Sequence, residues 1–256
     1  MKEKEPIISV RNLTCAYGEN VIVDDITFDV MPGEIFVIMG GSGCGKSTVL
    51  NHMIGLDIPG SGEILIDGLN IVSAQGETRL KILSKIGVMY QMGALFGSMT
   101  LLENVRLPME EFTDLPLEAM DFIAGMKLAL VGLRSYSDLM PSEISGGMKK
   151  RAAIARAMAL DPGILFLDEP SAGLDPVTTA EIDEVIKGFS EDLGVTFVIV
   201  SHELSSIFNI ADRVIMLDKR LKKIVAEGDP RELREHSDDP IVREFFQRKA
   251  GNKESI

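Results

Sequence analysis

Apolar residues along the chain follow two alternating patterns. Short runs rich in β-branched side chains alternate with longer segments in which apolar residues recur at helical spacing. This alternation is typical of an α/β domain built on a mainly parallel sheet. We predict four buried core strands, at EIFVIM, GILFLD, TFVIVS and RVIMLD.

The first third of the chain carries a different strand pattern. Its apolar and polar residues alternate in short segments that are broken by Gly, Asn and Asp. Such segments are typical of antiparallel strands. We predict strands at ISVRNLTCAYG, VIVDDITFDV and GEILIDG, and we expect them to form a β-subdomain beside the parallel sheet.

Helical periodicity replaces the strand pattern between about residues 92 and 158, which predicts an inserted helical subdomain. One predicted helix there ends at Gly132. One face of this helix is lined by Phe122, Ile123, Met126 and Leu130. A later helix is predicted to face the core with an apolar stripe, which consists of Ile182, Val185, Ile186, Phe189 and Leu193. Near the C-terminus, the segment IVREFF is expected to dock as a short helix.

Charge and cysteine content exclude some classes of function. The chain has 39 acidic and 26 basic residues and a formal net charge of -13, which argues against nucleic acid as a partner. Its two cysteines, Cys15 and Cys44, suit neither a disulfide framework nor a zinc site, and a reducing setting fits them best. The N-terminal MKEKEPIISV lacks the apolar run of a signal peptide, and no stretch approaches the roughly 18 apolar residues that span a bilayer. We therefore expect a soluble chain that reaches a membrane only through a partner.

The sharpest chemical signal follows the first predicted core strand. The segment GGSGCGKST, residues 40–48, fits the phosphate-loop pattern G-x-x-x-x-G-K-[ST]. Backbone N–H groups of such a loop face the phosphates of a nucleotide, Lys46 reaches the β and γ phosphates, and Ser47 ligates magnesium. The loop residues expected to bind nucleotide are Gly40, Ser42, Gly43, Cys44, Gly45, Lys46, Ser47 and Thr48.

Cys44 admits two interpretations. It lies near Lys46 and a helix start, which could lower the pKa of its thiol and make it reactive. The favoured alternative is a small residue that the loop tolerates.

Two further core strands end in polar side chains. GILFLDEP ends in Asp168 and Glu169, and TFVIVSHE ends in His202. Ligands of open α/β sheets collect at the carboxyl ends of the strands. Asp168 is therefore placed to hold magnesium through water, and Glu169 to act as general base toward the attacking water. His202 could reach the γ-phosphate from the same edge, although a lone histidine or an acidic strand end is by itself a weak signal.

Together these motifs resemble the nucleotide-binding subunit of an ABC transporter, over residues 7–228. The phosphate loop corresponds to the Walker A motif of that family, and Asp168 and Glu169 correspond to Walker B. His202 stands at the position of the family's catalytic histidine. The resemblance implies an ATPase coupled to transport, with ATP and Mg²⁺ as its ligands.

The same resemblance assigns roles that the residues alone do not indicate. Gln91 falls at the Q-loop position, which makes it an expected catalytic residue and a magnesium ligand beside Ser47 and Asp168. Asp175 ends the D-loop segment SAGLD. Tyr17 matches the aromatic A-loop position, where its ring would stack on adenine and contribute about 1 to 3 kcal/mol.

The resemblance also implies a domain organisation. It predicts one cassette over residues 1–256, with a P-loop NTPase (RecA-like) core of the α/β class, an antiparallel β-subdomain and an inserted helical subdomain. The core and β-subdomain are expected at about residues 1–91 and 159–228, the helical subdomain at about 92–158, and a C-terminal tail at about 229–256.

A serine and two glycines stand at the signature position of the family, in ISGGM, residues 144–148. In ABC ATPases two subunits sandwich two nucleotides head to tail, so a homodimer is implied in which the signature of one subunit faces the γ-phosphate held by the other. The residues expected to act in this way are Ser145, Gly146, Gly147 and Met148. Three cations follow at a helix start, namely Lys149, Lys150 and Arg151, and an incoming anion would make their positive charge favourable there. The alternative, an N-capped surface helix with solvated lysines, accounts for Ser145 but not for the glycine pair.

Met148 departs from the usual signature, which reads Leu-Ser-Gly-Gly-Gln. Methionine lacks the amide donor of glutamine, but the hydroxyl of Ser145 and the backbone N–H groups of the glycines remain. Ser145 is also expected to cap the helix. We therefore expect an active enzyme.

A finer resemblance lies in QMGALFGSMTLLENVRLP, residues 91–108, and in LMPSEISGGM. Both segments are similar to the ATPase of bacterial phospholipid transporters of the Mla type. This implies an integral membrane permease dimer as partner, an MCE-domain lipid-binding protein reached through that permease, and a peripheral location on the cytoplasmic side of the inner membrane. A STAS-domain regulator on the helical subdomain is a further candidate partner.

In ABC ATPases the segment after the Q-loop lines the groove that receives the coupling helix of the permease. Its apolar residues, for which ordinary subdomain core is the alternative, are Met92, Leu95, Phe96, Met99 and Leu102.

Three other functions fit this sequence less well. Soluble ABC ATPases of DNA repair or translation usually carry two cassettes or a long coiled-coil insertion, and this chain has neither. A nucleotide sensor without turnover would lack the Walker B glutamate or the signature glycines, and both are present. A transporter ATPase for another substrate is the nearest alternative, against which the QMGALF segment argues.

Overall fold

The structure, a computed structural model, describes residues 5–251 of the chain, and its side chains as far as residue 247. Within this range two β-sheets are surrounded by helices. The strands are β1 (Ile8–Tyr17), β2 (Asn20–Val30), β3 (Ile35–Gly40), β4 (Ser61–Ile66), β5 (Leu69–Asn70), β6 (Ile86–Met89), β7 (Ile164–Asp168), β8 (Thr196–Val200), β9 (Arg213–Asp218) and β10 (Lys223–Gly228). The helices are α1 (Lys46–Met53), α2 (Gly76–Leu83), α3 (Leu101–Phe112), α4 (Leu117–Leu130), α5 (Gly146–Ala157), α6 (Pro176–Leu193), α7 (Leu204–Ile210), α8 (Pro230–His236) and α9 (Pro240–Gly251).

The larger sheet has the strand order β10-β9-β3-β8-β7-β6, and its strands are parallel except for the antiparallel β10. The predicted α/β class and the four predicted core strands are confirmed. In this sheet Ile38 pairs with Val200, and Val200 pairs with Asp168. The carboxyl ends of β3, β8 and β7 therefore lie side by side, and the loops that follow them leave from one edge.

The smaller sheet is antiparallel, with the order β2-β1-β4-β5. The three strands predicted in the first third of the chain are confirmed as β1, β2 and β4. The apolar pattern of the chain does not predict β5, β6 and β10, which are short or lie at sheet edges, where fewer apolar residues are needed.

The larger sheet is covered on both faces, and alternate residues of each strand point to opposite faces. On β3, Phe36 and Ile38 join a cluster with the smaller sheet and α1. Ile35, Val37 and Met39 join a second cluster with the helices from α3 to α7 and with α9. The site described below lies at the edge of a sheet that is fixed from both sides.

Helices α3, α4 and α5 pack on one another and share the second cluster with the sheet. Helix α3 begins with a capping box, in which the Glu103 backbone N–H donates to Thr100 Oγ1 at 3.2 Å and the Thr100 N–H donates to Glu103 Oε2 at 2.7 Å. The division of the chain into core, helical subdomain and tail, with the boundaries given above, stays a prediction.

Two predicted apolar faces differ from the structure. On α4, Phe122, Met126 and Leu130 are 63%, 52% and 50% exposed, and the buried face carries Met120, Ala124 and Leu128 instead. The helix is apolar nearly all round, so its periodicity does not select the face that packs. The core stripe of α6 is confirmed at Ile182, Ile186 and Phe189, but Leu193, at the end of the helix, is exposed.

The IVREFF segment forms part of α9, as predicted, and it packs through Val242 and Phe246, which are both buried. Within residues 5–251 the structure offers no helix with both the length and the apolar character that crossing a membrane requires.

Candidate active site

The loop between β3 and α1 depends on glycine at positions where a side chain would collide with neighbouring strands. Gly45 has a φ of 102°, and a Cβ there would lie 2.6 Å from Val23 Cγ2 on β2. Gly40 has a φ of 149°, and a Cβ there would lie 2.5 Å from the carbonyl oxygen of Leu217 on β9. Since L-residues rarely adopt these conformations, the sequence folds here only with glycine.

Lys46 begins α1 and points its buried ammonium group into this loop. Nζ donates to the carbonyl oxygens of Gly40 at 3.1 Å and Gly41 at 3.2 Å. No side chain among residues 5–247 caps the N-terminus of α1. The first backbone N–H groups of the helix and a lysine ammonium thus converge, which is the arrangement that binds phosphate oxygens.

A cavity of about 480 Å³ opens over this loop. It is lined by residues 40–48 except Cys44, together with Gln91, Glu169 and His202. The structure therefore brings together the predicted phosphate loop, the Q-loop glutamine, the predicted base and the predicted histidine.

Ser47 lines the cavity, and Asp168, which is not part of the described lining, supplies a second oxygen ligand next to it. Ser47 Oγ donates to Asp168 Oδ1 at 3.1 Å. Burial raises the pKa of the Asp168 carboxyl, and the hydrogen bond from Ser47 opposes this shift. Hydroxyl, carboxylate and amide oxygens suit Mg²⁺ when phosphate oxygens complete its coordination, so these residues and Gln91 fit that ion. Residues 5–247 contain no group of three or more His, Cys, Asp or Glu that could hold a metal without such help.

Glu169 is buried and has a backbone φ of 49°, an uncommon conformation for a residue with a side chain. Its N–H donates to the Val200 carbonyl on β8 at 2.9 Å. Its Oε1 lies 2.6 Å from Nδ1 of His202. A carboxylate oxygen can accept in such a contact, which fits the imidazole tautomer that carries its hydrogen on Nδ1. His202 thus holds the carboxylate in place at the cavity wall.

Lys150 was expected to face an incoming phosphate, and this expectation is wrong. Its ammonium is buried and donates to the carbonyl oxygen of Glu169 at 3.0 Å and to that of Gln91. Arg151 is also engaged inside the chain, since it donates to the Val131 carbonyl at 3.2 Å. Both side chains lie on the side of α5 that packs on the rest of the chain. The three consecutive basic residues in the sequence do not indicate this orientation.

The reactive interpretation of Cys44 is also wrong. Cys44 is 2% exposed and packs in the cluster behind the loop, outside the lining of the cavity. Burial raises the pKa of this thiol, and the charge of Lys46 offsets the shift only in part. Cys44 therefore contributes backbone to the loop and an apolar side chain to the core.

Tyr17 does not line the cavity described above. It ends β1 opposite Asn20, the residue is 53% exposed, and its hydroxyl donates to Asp57 Oδ2 at 3.2 Å. The same hairpin contacts the phosphate loop through Val23 and Gly45, so the exposed ring stands on an element that touches the site.

The signature residues lie apart from the cavity, whose lining within residues 5–247 includes none of them. Ser145 caps α5 as predicted, and its Oγ accepts from the Met148 N–H at 3.2 Å. Gly147 is buried against the side chain of Thr178, so packing inside the chain also requires this glycine. Asp175 caps α6, accepting from the N–H groups of Val177 and Thr178.

The segment after Gln91 is exposed at Met92 (89%) and Phe96 (51%). Leu95 and Leu102 instead pack against the main cluster, so the alternative of ordinary core holds for these two. The backbone of the segment is held by buried or half-buried groups on neighbouring helices. Arg156 donates to the carbonyls of Gly93 and Ala94, and the buried Asn104 donates to those of Phe96, Met99 and Thr100.

A family model described as ABC transporter matches residues 23–172 of the chain. The chain is 40% identical over 237 residues to the intermembrane phospholipid transport system ATP-binding protein MlaF of Haemophilus influenzae, covering 93% of this chain and 89% of that protein. It is 41% identical over 240 residues to MlaF of Escherichia coli K12, covering 94% and 88% of the two chains. It is 42% identical over 239 residues to the "Probable ribonucleotide transport ATP-binding protein mkl" of Mycobacterium leprae, covering 93% and 68%.

Solved structures with the same fold include ATP-binding cassettes. The dimeric cassette MJ0796 in a post-hydrolysis state, bound to ADP and Pi, superposes with a TM-score of 0.79 at 32% identity, covering 87% of this chain and 98% of that one. The cbiO1 protein of Clostridium perfringens, part of the ABC transporter complex cbiONQ, superposes with a TM-score of 0.82 at 27% identity, covering 98% and 100%.

Proposed function

The chain belongs to the ABC transporter family, and on this premise we propose that it is the ATP-hydrolysing subunit of a transporter that moves phospholipid at the bacterial inner membrane. The observation that carries the enzymatic part is the single cavity in which the phosphate loop, Gln91, Glu169 and His202 meet. The names of the MlaF relatives support the phospholipid part.

ATP is the substrate, and its phosphates fit the loop that precedes α1. Lys46 and the backbone N–H groups of the loop bind the β and γ phosphates. Ser47, Asp168 and Gln91 would hold Mg²⁺, which neutralises charge on the phosphates when it is bound. The ring of Tyr17 offers an exposed face on which adenine can stack.

Hydrolysis needs little covalent chemistry from the protein. A water attacks the γ-phosphorus and gives up a proton to Glu169, a new P–O bond forms, and the bond to the β–γ bridging oxygen breaks. ADP and inorganic phosphate are the products. His202 orients the carboxylate of Glu169 through the 2.6 Å contact, so the proton acceptor is in place before the water attacks.

A second copy of the chain completes the site. Ser145 and the backbone N–H groups of Gly146 and Gly147 would reach the γ-phosphate bound by the partner subunit in a head-to-tail homodimer. Their separation from the cavity of their own chain supports this arrangement, as does the similarity to a cassette described as dimeric. Met148 adds no donor, and the remaining donors of the signature suffice for turnover.

The membrane partner is an integral permease dimer, which docks on the exposed segment around Met92 and Phe96. The chain then lies peripherally on the cytoplasmic side of the inner membrane, and an MCE-domain lipid-binding protein is reached through the permease. Closure and reopening of the ATPase dimer drive the permease. A STAS-domain regulator would bind the helical subdomain, where Phe122, Met126 and Leu130 form an exposed apolar stripe.

A transporter for another substrate is the second candidate, because the mkl relative is named for ribonucleotide transport and is equally similar. Purification of the native complex from membranes, with mass spectrometry of its subunits and bound lipids, separates the two candidates. A permease and an MCE-domain protein with bound phospholipid would support the proposal. A complex that lacks both lipid and an MCE-domain protein would contradict it.

The enzymatic part is tested on the same complex with Mg²⁺ and ATP. Loss of a general base lowers rates by about 10² to 10⁴, so Glu169→Gln should lose turnover, retain ATP binding and accumulate a closed dimer. An unsubstituted complex that binds Mg-ATP but hydrolyses it no faster than the Glu169→Gln variant would show that the proposed activity is wrong.

A further inference from the structure

We infer that Lys150 is a positioning residue, whose ammonium ties the backbone of Glu169, the proposed general base, and the backbone of Gln91 to helix α5. Its Nζ donates to the carbonyl oxygen of Glu169 at 3.0 Å and to the carbonyl oxygen of Gln91. The two acceptors belong to segments that are distant in sequence. One side chain therefore joins three parts of the proposed site.

The burial of this lysine indicates a specific role rather than a solvated charge. Only 8% of Lys150 is exposed, and lysines are almost never buried unless their charge is paired or hydrogen-bonded. Burial lowers the pKa of Lys150, and the charges of Glu169 and Asp168 raise it again in part. The ammonium group of Lys150 is therefore desolvated at a point where two carbonyl oxygens and both Walker B carboxylates can stabilise its charge.

The backbone of Glu169 needs this support. Its φ of 49° is an uncommon conformation, which persists only where the surroundings over-determine it. Four described contacts do so, namely its N–H to Val200, its carbonyl to Lys150 and to the N–H of Ala172 at 3.2 Å, and its carboxylate to His202. Without the contact to Lys150, the carbonyl loses its link to α5 and the carboxylate loses part of its fixed orientation.

The position of Lys150 in α5 gives the contact a second consequence. The helix begins directly after Ser145, and Lys150 lies less than two turns further on the side that packs inward. A rigid helix transmits a shift of its first turn to this ammonium. This step rests on the proposed function: when the signature engages the nucleotide of the partner subunit, Lys150 carries the displacement to Glu169 and Gln91 together.

The test compares three variants of the full chain with its permease. Lys150→Met removes the donor at similar length, Lys150→Arg restores a buried cation, and Lys127→Met is the matched control. Lys127 is equally buried, at 8%, and pairs with Asp161 away from the cavity. We expect Lys150→Met to lower kcat by about tenfold or more while the Kd for ATP changes by less than about threefold. Lys150→Arg should recover most of the loss, and Lys127→Met should retain kcat.

A double-variant cycle distinguishes positioning from general damage. If Lys150 acts through Glu169, adding Lys150→Met to Glu169→Gln should leave the residual rate unchanged, because interacting residues are not additive. A further tenfold loss in the double variant, an unchanged kcat in Lys150→Met, or an equal loss in Lys127→Met would overturn the inference.

Hydrogen exchange supplies a readout that does not depend on turnover. In Lys150→Met, amide exchange should accelerate in peptides covering residues 86–95 and 164–172, and it should remain unchanged there in Lys127→Met. Equal protection of both peptides in all variants would overturn the inference even if the complex hydrolyses ATP. Failure of the unsubstituted complex to hydrolyse ATP would count against the proposed function, and the exchange result would still decide the role of Lys150.

Discussion

The side chain of Thr178, at the start of α6, fills the space into which Gly147 would project a Cβ atom. Thr178 cannot turn away easily, because its Oγ1 donates to Asp175 Oδ2 at 2.6 Å. Helices α5 and α6 therefore meet here with no room for a methyl group. Gly146 differs, since a Cβ there would make an ordinary contact with Leu174 Cδ2 at 3.5 Å.

Gly147→Ala is therefore expected to lower the free energy of unfolding by about 1 to 3 kcal/mol, the usual cost of overpacking. Adding Thr178→Ser removes the obstructing methyl group, keeps the hydroxyl that bonds Asp175, and should restore most of the loss. Gly146→Ala is the control and should change stability by less than about 0.5 kcal/mol. Urea denaturation of the four proteins checks this, and equal stabilities of the two alanine variants would contradict the packing argument.

The main site could be predicted from the sequence because its parts follow strand ends. The phosphate loop, Asp168 and His202 come after parallel strands whose carboxyl ends share one edge, so neighbouring strands place them together without detailed knowledge of the packing. The fold class could be predicted for the same reason, from apolar runs that suit strands buried on both faces.

The direction of helical side chains could not be predicted in the same way. Three cations in a row at positions 149–151 give no orientation, and only the packing of α5 decides that Lys150 turns inward. In retrospect Lys150 shares helical spacing with Gly147 and Ile154, which are both buried. Helix α4 is apolar on nearly every face, so its sequence does not show which face is buried. The exposure of Phe122 is decided by the elements that pack against the opposite side of α4.

His202→Ala should lower ATP turnover without a large loss of ATP affinity. The imidazole holds Oε1 of Glu169 at 2.6 Å, and without it the carboxylate loses a contact that fixes its orientation. We expect kcat to fall by about 10² or more, within the range for groups that assist proton transfer. His236→Ala, at an exposed position of α8, is the matched control. Steady-state hydrolysis and nucleotide titration check the result, and a loss of affinity equal to the loss of rate would point to a binding role instead.

Both cysteines should resist thiol reagents in the folded protein. Burial, with a smaller effect from the charge of Asp57, raises the pKa of Cys15 to about 12, and burial also raises the pKa of Cys44. The thiolate is the reactive form, so little of it is present near pH 8. We expect negligible modification by Ellman's reagent within minutes under native conditions, and two thiols per chain in guanidinium. Rapid modification that disappears in Cys44→Ser would contradict the buried position of Cys44.

We expect Asp183 to give a pH dependence of stability that is opposite to the one given by most carboxylates. It is buried on α6 and accepts from Ser206 Oγ at 2.5 Å and from Asn209 Nδ2 at 3.0 Å, which tie α6 to the helix after His202. Burial raises the pKa of Asp183, and these two hydrogen bonds oppose the shift in part. An aspartate in an unfolded chain has a pKa of about 3.9. Above that pH, Asp183 therefore binds more protons in the folded state than in the unfolded state.

The sign of the effect follows from linkage. Where the folded state binds more protons, the free energy of unfolding falls as pH rises, and for this group the fall is complete above the raised pKa. Since other carboxylates titrate in the same range, the measurable quantity is the difference between the unsubstituted chain and Asp183→Asn. We expect this difference in the free energy of unfolding to shift in favour of the unsubstituted chain as the pH is lowered from 7 toward 4. Asp192→Asn removes an acid from an exposed position of the same helix and is the matched control. A difference that shifts the other way on acidification would mean that the hydrogen bonds from Ser206 and Asn209 outweigh the burial of the charge.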